Sequence, residues 1–271
     1  MLKYESDQAA DIDHARPRTS ILSRVDLHAC FPVAIMAAMF SPHEASASEL
    51  STRQVIEILQ SAPPDTPADL SGRDLKFLDL SELDFSGVNL AGADLRSADL
   101  TSARLVEANL SGVDLTRAVI IRADFSGADL SGANLYRPVT YASVDSAPSD
   151  TPVFKNSDFS GARIVMHVSH ADLSGADFSN ASLAVGREDP FPATQFWWSN
   201  LAGANFSGAN LSGALFATSD LSLADLSGAN LALTMLFRCD LTGANLTGTD
   251  LGETDIEETS LEDVTGLAPV P

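Results

Sequence analysis

From residue 68 onward a large apolar residue recurs at every fifth position. The centres run Leu70, Leu75, Leu80, Phe85, Leu90 and on without a gap to Leu135. The frame then slips by one residue to give Phe154, Phe159 and Ile164, and slips again to give Val168, Leu173, Phe178 and Leu183. A last run extends from Phe196 to Leu261. Two irregular stretches interrupt it, about Tyr136 to Pro152 and Val185 to Ala193. A period of five matches neither the 3.6-residue turn of a helix nor the alternation of a strand, so neither element can bury all these centres along one face. A chain that turns a corner every five residues can.

In each unit the centre and the small residue two before it, mostly Ala, are expected to point inward. The Asp or Asn before the centre, with the Ser or Thr and Gly after it, are expected to form an exposed corner. Glycine tolerates positive φ, and short polar side chains hydrogen-bond neighbouring backbone. Four corners close a coil of about twenty residues, and some ten coils stacked at about 4.8 Å give a rod roughly 45 to 50 Å long. The expected class is an all-β solenoid.

Units such as Ala68-Asp69-Leu70-Ser71-Gly72 and Ala128-Asp129-Leu130-Ser131-Gly132 closely resemble the pentapeptide-repeat family, whose pattern is A(D/N)LXX. The resemblance covers about residues 68 to 263. It implies a right-handed quadrilateral β-helix, no enzymatic activity and no cofactor. Family members that protect DNA gyrase from quinolones or other toxins bind that enzyme as acidic, DNA-shaped rods, often as dimers.

Ahead of the repeats, Ser51 to Ala62 opens with a Ser-x-x-Gln capping box, spaces Val55, Ile56 and Leu59 at helical intervals and stops at Pro63-Pro64. A solenoid needs a cap over its open end, and this helix stands where one is required. Further upstream, Ala29 to Phe40 is an uncharged apolar run preceded by Arg16, Arg18 and Arg24 and followed by Ala45-Ser46-Ala47. That order is a secretory signal peptide with cleavage before Ser48. The run is too short for the roughly 20 residues of a membrane span. The expected divisions are a signal peptide over 1–47, a capping helix and linker over 48–66, the solenoid over 67–263 with inserts near 136–152 and 185–193, and a tail over 264–271. The expected location is periplasmic or secreted, with the cytoplasm as the alternative.

Charge narrows the partners. The chain has 37 acidic and 16 basic residues, a net −21. A cationic surface for nucleic acid or anionic lipid is therefore excluded. Residues 1–47 hold six acids and four bases, so the remainder keeps 31 and 12, net −19. Along the rod that is roughly one charge per 2.5 Å, against one per about 1.7 Å in DNA. The match suits a gyrase-directed DNA mimic, with Asp220, Asp225, Asp240, Asp250 and Asp255 as the candidate acidic surface. The repeat itself also demands Asp or Asn in every unit, which makes the charge a by-product. A structural scaffold or protein–protein interaction module is therefore the first reading and the gyrase mimic the alternative.

No catalytic, cofactor or metal site is expected. His167 and His170 form an H-x-x-H without a third ligand, and His167 is placed at a solvated outward corner. Cys30 and Cys239 are too few for a disulfide framework or a four-cysteine zinc site, and Cys239 falls at a small inward position. A partner leaves a better trace. Reading columns twenty apart on the face of Phe196, Phe216 and Leu236 brings Trp197, Trp198, Leu215, Met235 and Phe237 to outward slots that elsewhere hold Asp, Ser and Gly. Such a patch marks either a contact with a partner protein or a second copy, or a surface covered by an insert.

Overall fold

Ser51 starts the first element. Its hydroxyl accepts the Gln54 N–H, and the Gln54 side chain accepts the Ser51 N–H at 2.8 Å, completing the capping box of helix α1, Thr52–Ser61. The helix ends at Ala62, before Pro63, which cannot continue it. Val55 is fully buried, and Leu50, Ile58, Leu59 and Ala62 pack against the same core as the first repeats. The Thr52 hydroxyl donates to the Asp79 carbonyl at 2.9 Å. The structure, a computed structural model, describes residues 50–63, 66–141, 148–186, 189, 192–251 and 253–267. The leader expected over 1–47, with Cys30, lies outside them, as do parts of both inserts and the end of the tail.

From Ala68 the backbone repeats one operation. Leu70 N–H donates to Asn89 O at 2.7 Å, Asn89 N–H to Ala68 O at 3.0 Å, and Arg73 N–H closes a turn onto Leu70 O at 3.3 Å. The residue before that closure, Gly72, has φ +64°, as a type II turn requires. Four such turns separate each rung from the next. One parallel ladder runs Asp69, Asn89, Asn109, Asp129, Asp158, Asp177, Asn205, Asp225, Asn245 and Thr265.

These ladders correct the expected corner. The Asp or Asn before each centre is the paired residue of the rung, and the turn consists of the two residues after the centre. The carboxylate still serves the turn. Asp69 Oδ1 accepts the Ser71 N–H at 3.0 Å, Asp99 the Thr101 N–H at 2.9 Å, and Asp129 the Ser131 N–H at 2.9 Å. A short acceptor two residues ahead of a backbone donor is an Asx-turn, for which Asp and Asn are interchangeable.

The ladders through Asp129 and Asn134 continue unbroken past the inserts. Partners lie 20 residues apart in the early rungs, 29 apart at Asp124 and Val153, 19 at Asp158 and Asp177, and 28 at Asp172 and Asn200. The separation then returns to 20 at Asn200 and Asp220. Five three-residue strands mark places where two rungs pair continuously. Strand β1 (Asn134–Tyr136) pairs with β2 (Arg163–Val165), and β3 (His167–Ser169) pairs with β4 (Gln195–Trp197), which pairs with β5 (Leu215–Ala217), all parallel.

The centres fill the interior. Every centre from Leu70 to Leu135 is buried, as are Phe154 to Leu183 and Phe196 to Leu246. Phenylalanines in one column stack at the rung spacing. Phe159 and Phe178 are 4.8 Å apart and 2° from parallel, and Phe178 and Phe206 are 4.7 Å apart at 5°. The last centres differ from expectation: Leu251 and Leu261 are half-buried and Ile256 is 41% exposed. Among the described residues no further rung covers them.

Candidate interaction face

The outward positions of one face depart from the polar pattern. Two ladders make it up, Asp79, Asp99, Val119 and Val139 in one and His167, Gln195, Leu215, Met235 and Asp255 in the other, adjoined where the Thr140 hydroxyl donates to His167 O. Acids at both ends therefore bracket a middle that holds no acid and is mostly apolar. Strands β3, β4 and β5 form the centre of this face, with Phe196 and Phe216 inward and stacked at 5.2 Å. Trp197, Leu215, Met235 and Phe237 are half-buried and share neighbouring rungs, and Trp198 at the corner is 52% exposed. The five candidate interface residues are thus brought together.

Ring contacts extend the patch toward the earlier rungs. Tyr141 meets His167 edge-on at 5.6 Å, His167 meets Trp197 at 5.3 Å, and Trp197 meets Trp198 edge-on at 5.8 Å. His170 stacks flat on Trp198 at 5.2 Å. The solvated corner expected for His167 is corrected here. The imidazole stands on β3 between two aromatic rings, with its Nε2 3.3 Å from Ser169 Oγ, and burial pushes its pKa below the usual 6.5. The neighbours of His167 and His170 are aromatic rings, and among the described residues no three His, Cys, Asp or Glu side chains are placed to hold a metal.

Two further residues belong to the patch. Leu233, at the corner before Met235, is 58% exposed with φ +61°, and Trp198 has φ +50°. Bulky side chains in the left-handed region are rare because Cβ crowds the backbone. On the other side Arg238 lies over the Phe237 ring at 4.8 Å while pairing with Glu258. Sequence columns alone missed His167, because it pairs with Gln195 at a 28-residue separation across the second insert, and missed Val119 and Val139, which lie in the earlier of the two ladders. Leu233 was legible as an apolar residue in a glycine slot.

The described parts of the inserts are tied beside this face. Asp150 pairs with Arg122 at 3.3 Å, and the Tyr136 phenol donates to Asp189 at 3.0 Å, with Arg163 over the Tyr136 ring. The five candidate acidic residues do not form one surface. Asp220 and Asp240 are exposed on neighbouring rungs of one face, Asp225 and Asp250 lie on two others, and Asp255 ends the aromatic face. Asp225 is half-buried and accepts from Ser227 N–H and the Asn245 amide. The Ser81 hydroxyl and N–H hold Asp79 below the usual carboxylate range, and Thr242 does the same for Asp240.

A cleft of about 480 Å³ lies between α1 and the first rungs, lined by Leu59, Pro63, Pro67, Asp84 and Val88. Asp84 is its one ionisable group and faces Arg104 at 3.7 Å. No helix among the described residues is long and apolar enough to cross a membrane.

A family model described as pentapeptide repeats matches residues 68–101, 98–136, 199–234 and 225–263. No curated protein matches the chain significantly. Among solved structures, HetL, a pentapeptide repeat protein involved in heterocyst differentiation regulation from the cyanobacterium Nostoc, is 22% identical. That match covers 80% of this chain and 99% of that one, with a TM-score of 0.36. A pentapeptide repeat protein of the Arabidopsis thaliana thylakoid lumen is 36% identical over 37% of this chain and 67% of that one, with a TM-score of 0.28. QnrB1, a plasmid-mediated fluoroquinolone resistance protein, is 20% identical over 65% of this chain and 90% of that one, with a TM-score of 0.33.

Proposed function

Because this chain belongs to the pentapeptide-repeat family, we propose that it is a non-enzymatic scaffold: a right-handed quadrilateral β-helix that presents one face to a protein partner after export. The observation that carries the reading is the cluster of apolar and aromatic outward residues on the face of Phe196, where most other faces present Asp, Asn, Ser and Gly. Family members of this kind are structural or interaction proteins, and the helix α1 serves as the N-terminal cap. Export is supported by the charged, apolar and small-residue order of residues 1–47. A photo-crosslinking residue placed at Phe237 of the full chain in its native cell should yield a discrete adduct that the same residue at Ser227, on another face, does not. Identical adduct patterns from both positions would remove the face from the reading. N-terminal sequencing of the cellular protein tests export, with a start at Ser48 expected.

The gyrase mimic is the second reading, favoured by stacked carboxylates such as Asp79 over Asp99 and Asp220 over Asp240. It ranks second because Asp Oδ1 atoms are engaged by the backbone of their own turns, which explains the acids without a partner. Supercoiling assays with purified protein should show no inhibition under the scaffold reading. Dose-dependent inhibition that weakens with salt would favour the mimic.

A further inference from the structure

We propose that the patch formed by Trp197, Trp198, Leu215, Leu233, Met235 and Phe237 docks an extended apolar segment of a partner protein that is flanked by Lys or Arg. The proposal rests on the reading of this face as an interaction surface and adds the chemistry of its occupant.

The patch is built at a cost that folding alone does not require. Its two margins, Trp198 and Leu233, combine a left-handed backbone with 52% and 58% exposure, at a turn position occupied by glycine in many other units. Serine or asparagine there would remove the exposed apolar surface, as Ser102 and Asn180 do elsewhere at φ +58° and +57°. Leu223 and Phe77 show the same combination singly at other corners; what sets this face apart is that Trp198 and Leu233 bracket Trp197, Leu215, Met235 and Phe237 within three rungs, a grouping explained by a contact that covers them.

The apolar part of the patch is by itself too small to seat a second copy. Three rungs at about 4.8 Å and five residues at about 3.3 Å give a flat area of roughly 200 Å². A standard interface needs about 800 Å² from each partner. A single extended segment fits the smaller figure.

Charge selects the flanks. Asp220 and Asp240 stand exposed on the adjoining face at the Trp198 side, and Asp255 and Glu257 close the patch at its C-terminal end. Among the described residues the base at the margin, Arg238, is paired with Glu258. Apolar contact in the middle with carboxylates at the side and end is complementary to a segment whose Leu or Phe anchors are bounded by cations. The same rim repels a second copy of this chain, whose net charge is −21.

The protein reports on the site by itself, because Trp197 and Trp198 are its only tryptophans. The full chain is titrated with two synthetic tryptophan-free peptides sharing one Leu-Phe-Ile-Leu centre, flanked by three lysines on each side in one and three glutamates in the other. The lysine peptide should shift the tryptophan emission along a saturable curve, bind at least about ten-fold tighter than the glutamate peptide, and weaken as salt is added. The double variant Leu233→Asn, Met235→Gln should lose about ten-fold in affinity with an unchanged circular dichroism spectrum, since Asn suits the left-handed turn. Equal binding of the two peptides overturns the cationic flank and leaves the interaction reading standing. Binding of the lysine peptide that the double variant does not weaken shows general attraction to an acidic protein and overturns the site. No emission change with either peptide also overturns it, whereas the interaction reading falls only with the crosslinking experiment.

Discussion

Leu110 and Asp99 show how far two residues of one unit differ in their duties. Leu110 is fully buried among other centres, while Asp99 sits on the rung and lends Oδ1 to the Thr101 N–H. Leu110→Asp places an unpartnered carboxylate in the core and should abolish the cooperative melt. Asp99→Asn keeps the acceptor and should leave the melting temperature within about a degree or two of the parent, as surface changes within about 0.5 kcal/mol do. Equal losses in the two variants would contradict the inward-centre arrangement. Cys239 occupies the small inward slot, 2% exposed, with its Sγ donating to the Phe216 carbonyl, and burial pushes its thiol pKa up to about 12. In a Cys30→Ser background, a thiol reagent at neutral pH should label Cys239 no faster than the chain unfolds. Rapid labelling of the folded protein would refute its burial.

At the scale of the element, one kind of turn differs from the rest. After Phe196 and Phe216 the strand residues extend the rung, and a polar side chain from the next turn is inserted into the open turn. Ser219 Oγ accepts the Ser199 N–H at 3.1 Å and donates to Phe196 O at 3.1 Å. Cys239 occupies the equivalent place below Phe216, and the Thr259 hydroxyl donates to Leu236 O. These buried polar groups hold the backbone of β4 and β5 where it carries Trp197 and Ala217. Ser219→Ala strands a buried N–H and a carbonyl, and should cost about 1–3 kcal/mol in a chemical denaturation experiment. Ser222→Ala, at an ordinary turn, should cost no more than about 0.5 kcal/mol. Indistinguishable midpoints would show the bridge to be dispensable.

For the whole molecule, acid should act in two stages. The pKa of His167 is lowered by burial, so the unfolded chain takes up its proton first, and this stability is present above about pH 6.5 and lost as pH falls below it. The carboxylates Asp79 and Asp240 are depressed chiefly by the Ser81 and Thr242 hydroxyls, so their contribution is present above about pH 4 and lost as pH falls through their folded values. Melting temperatures recorded from pH 8 to 3 should therefore decline in two steps. His167→Gln should remove the upper step and spare the lower. A variant that retains the upper step would place its origin elsewhere than the imidazole held between Tyr141 and Trp197.

The Ser-x-x-Gln spacing determined the capping box at Ser51, and the five-residue period by itself determined the repeating rungs, their inward centres and the small inward slot of Cys239. Each of these depends on spacing within one turn or between regular turns, which a linear pattern preserves. It also placed Trp197, Trp198, Leu215, Met235 and Phe237 on one face, because the last run is uninterrupted. Tertiary structure alone decided what crosses the inserts. His167 joins Gln195 only through a pairing 28 residues long, and it is buried by rings from Tyr141 and Trp197 that are distant in sequence. The same holds for the acids: Asp220, Asp225, Asp240, Asp250 and Asp255 look like one cluster along the chain, but each five-residue step turns a corner and sends the next carboxylate to a different face.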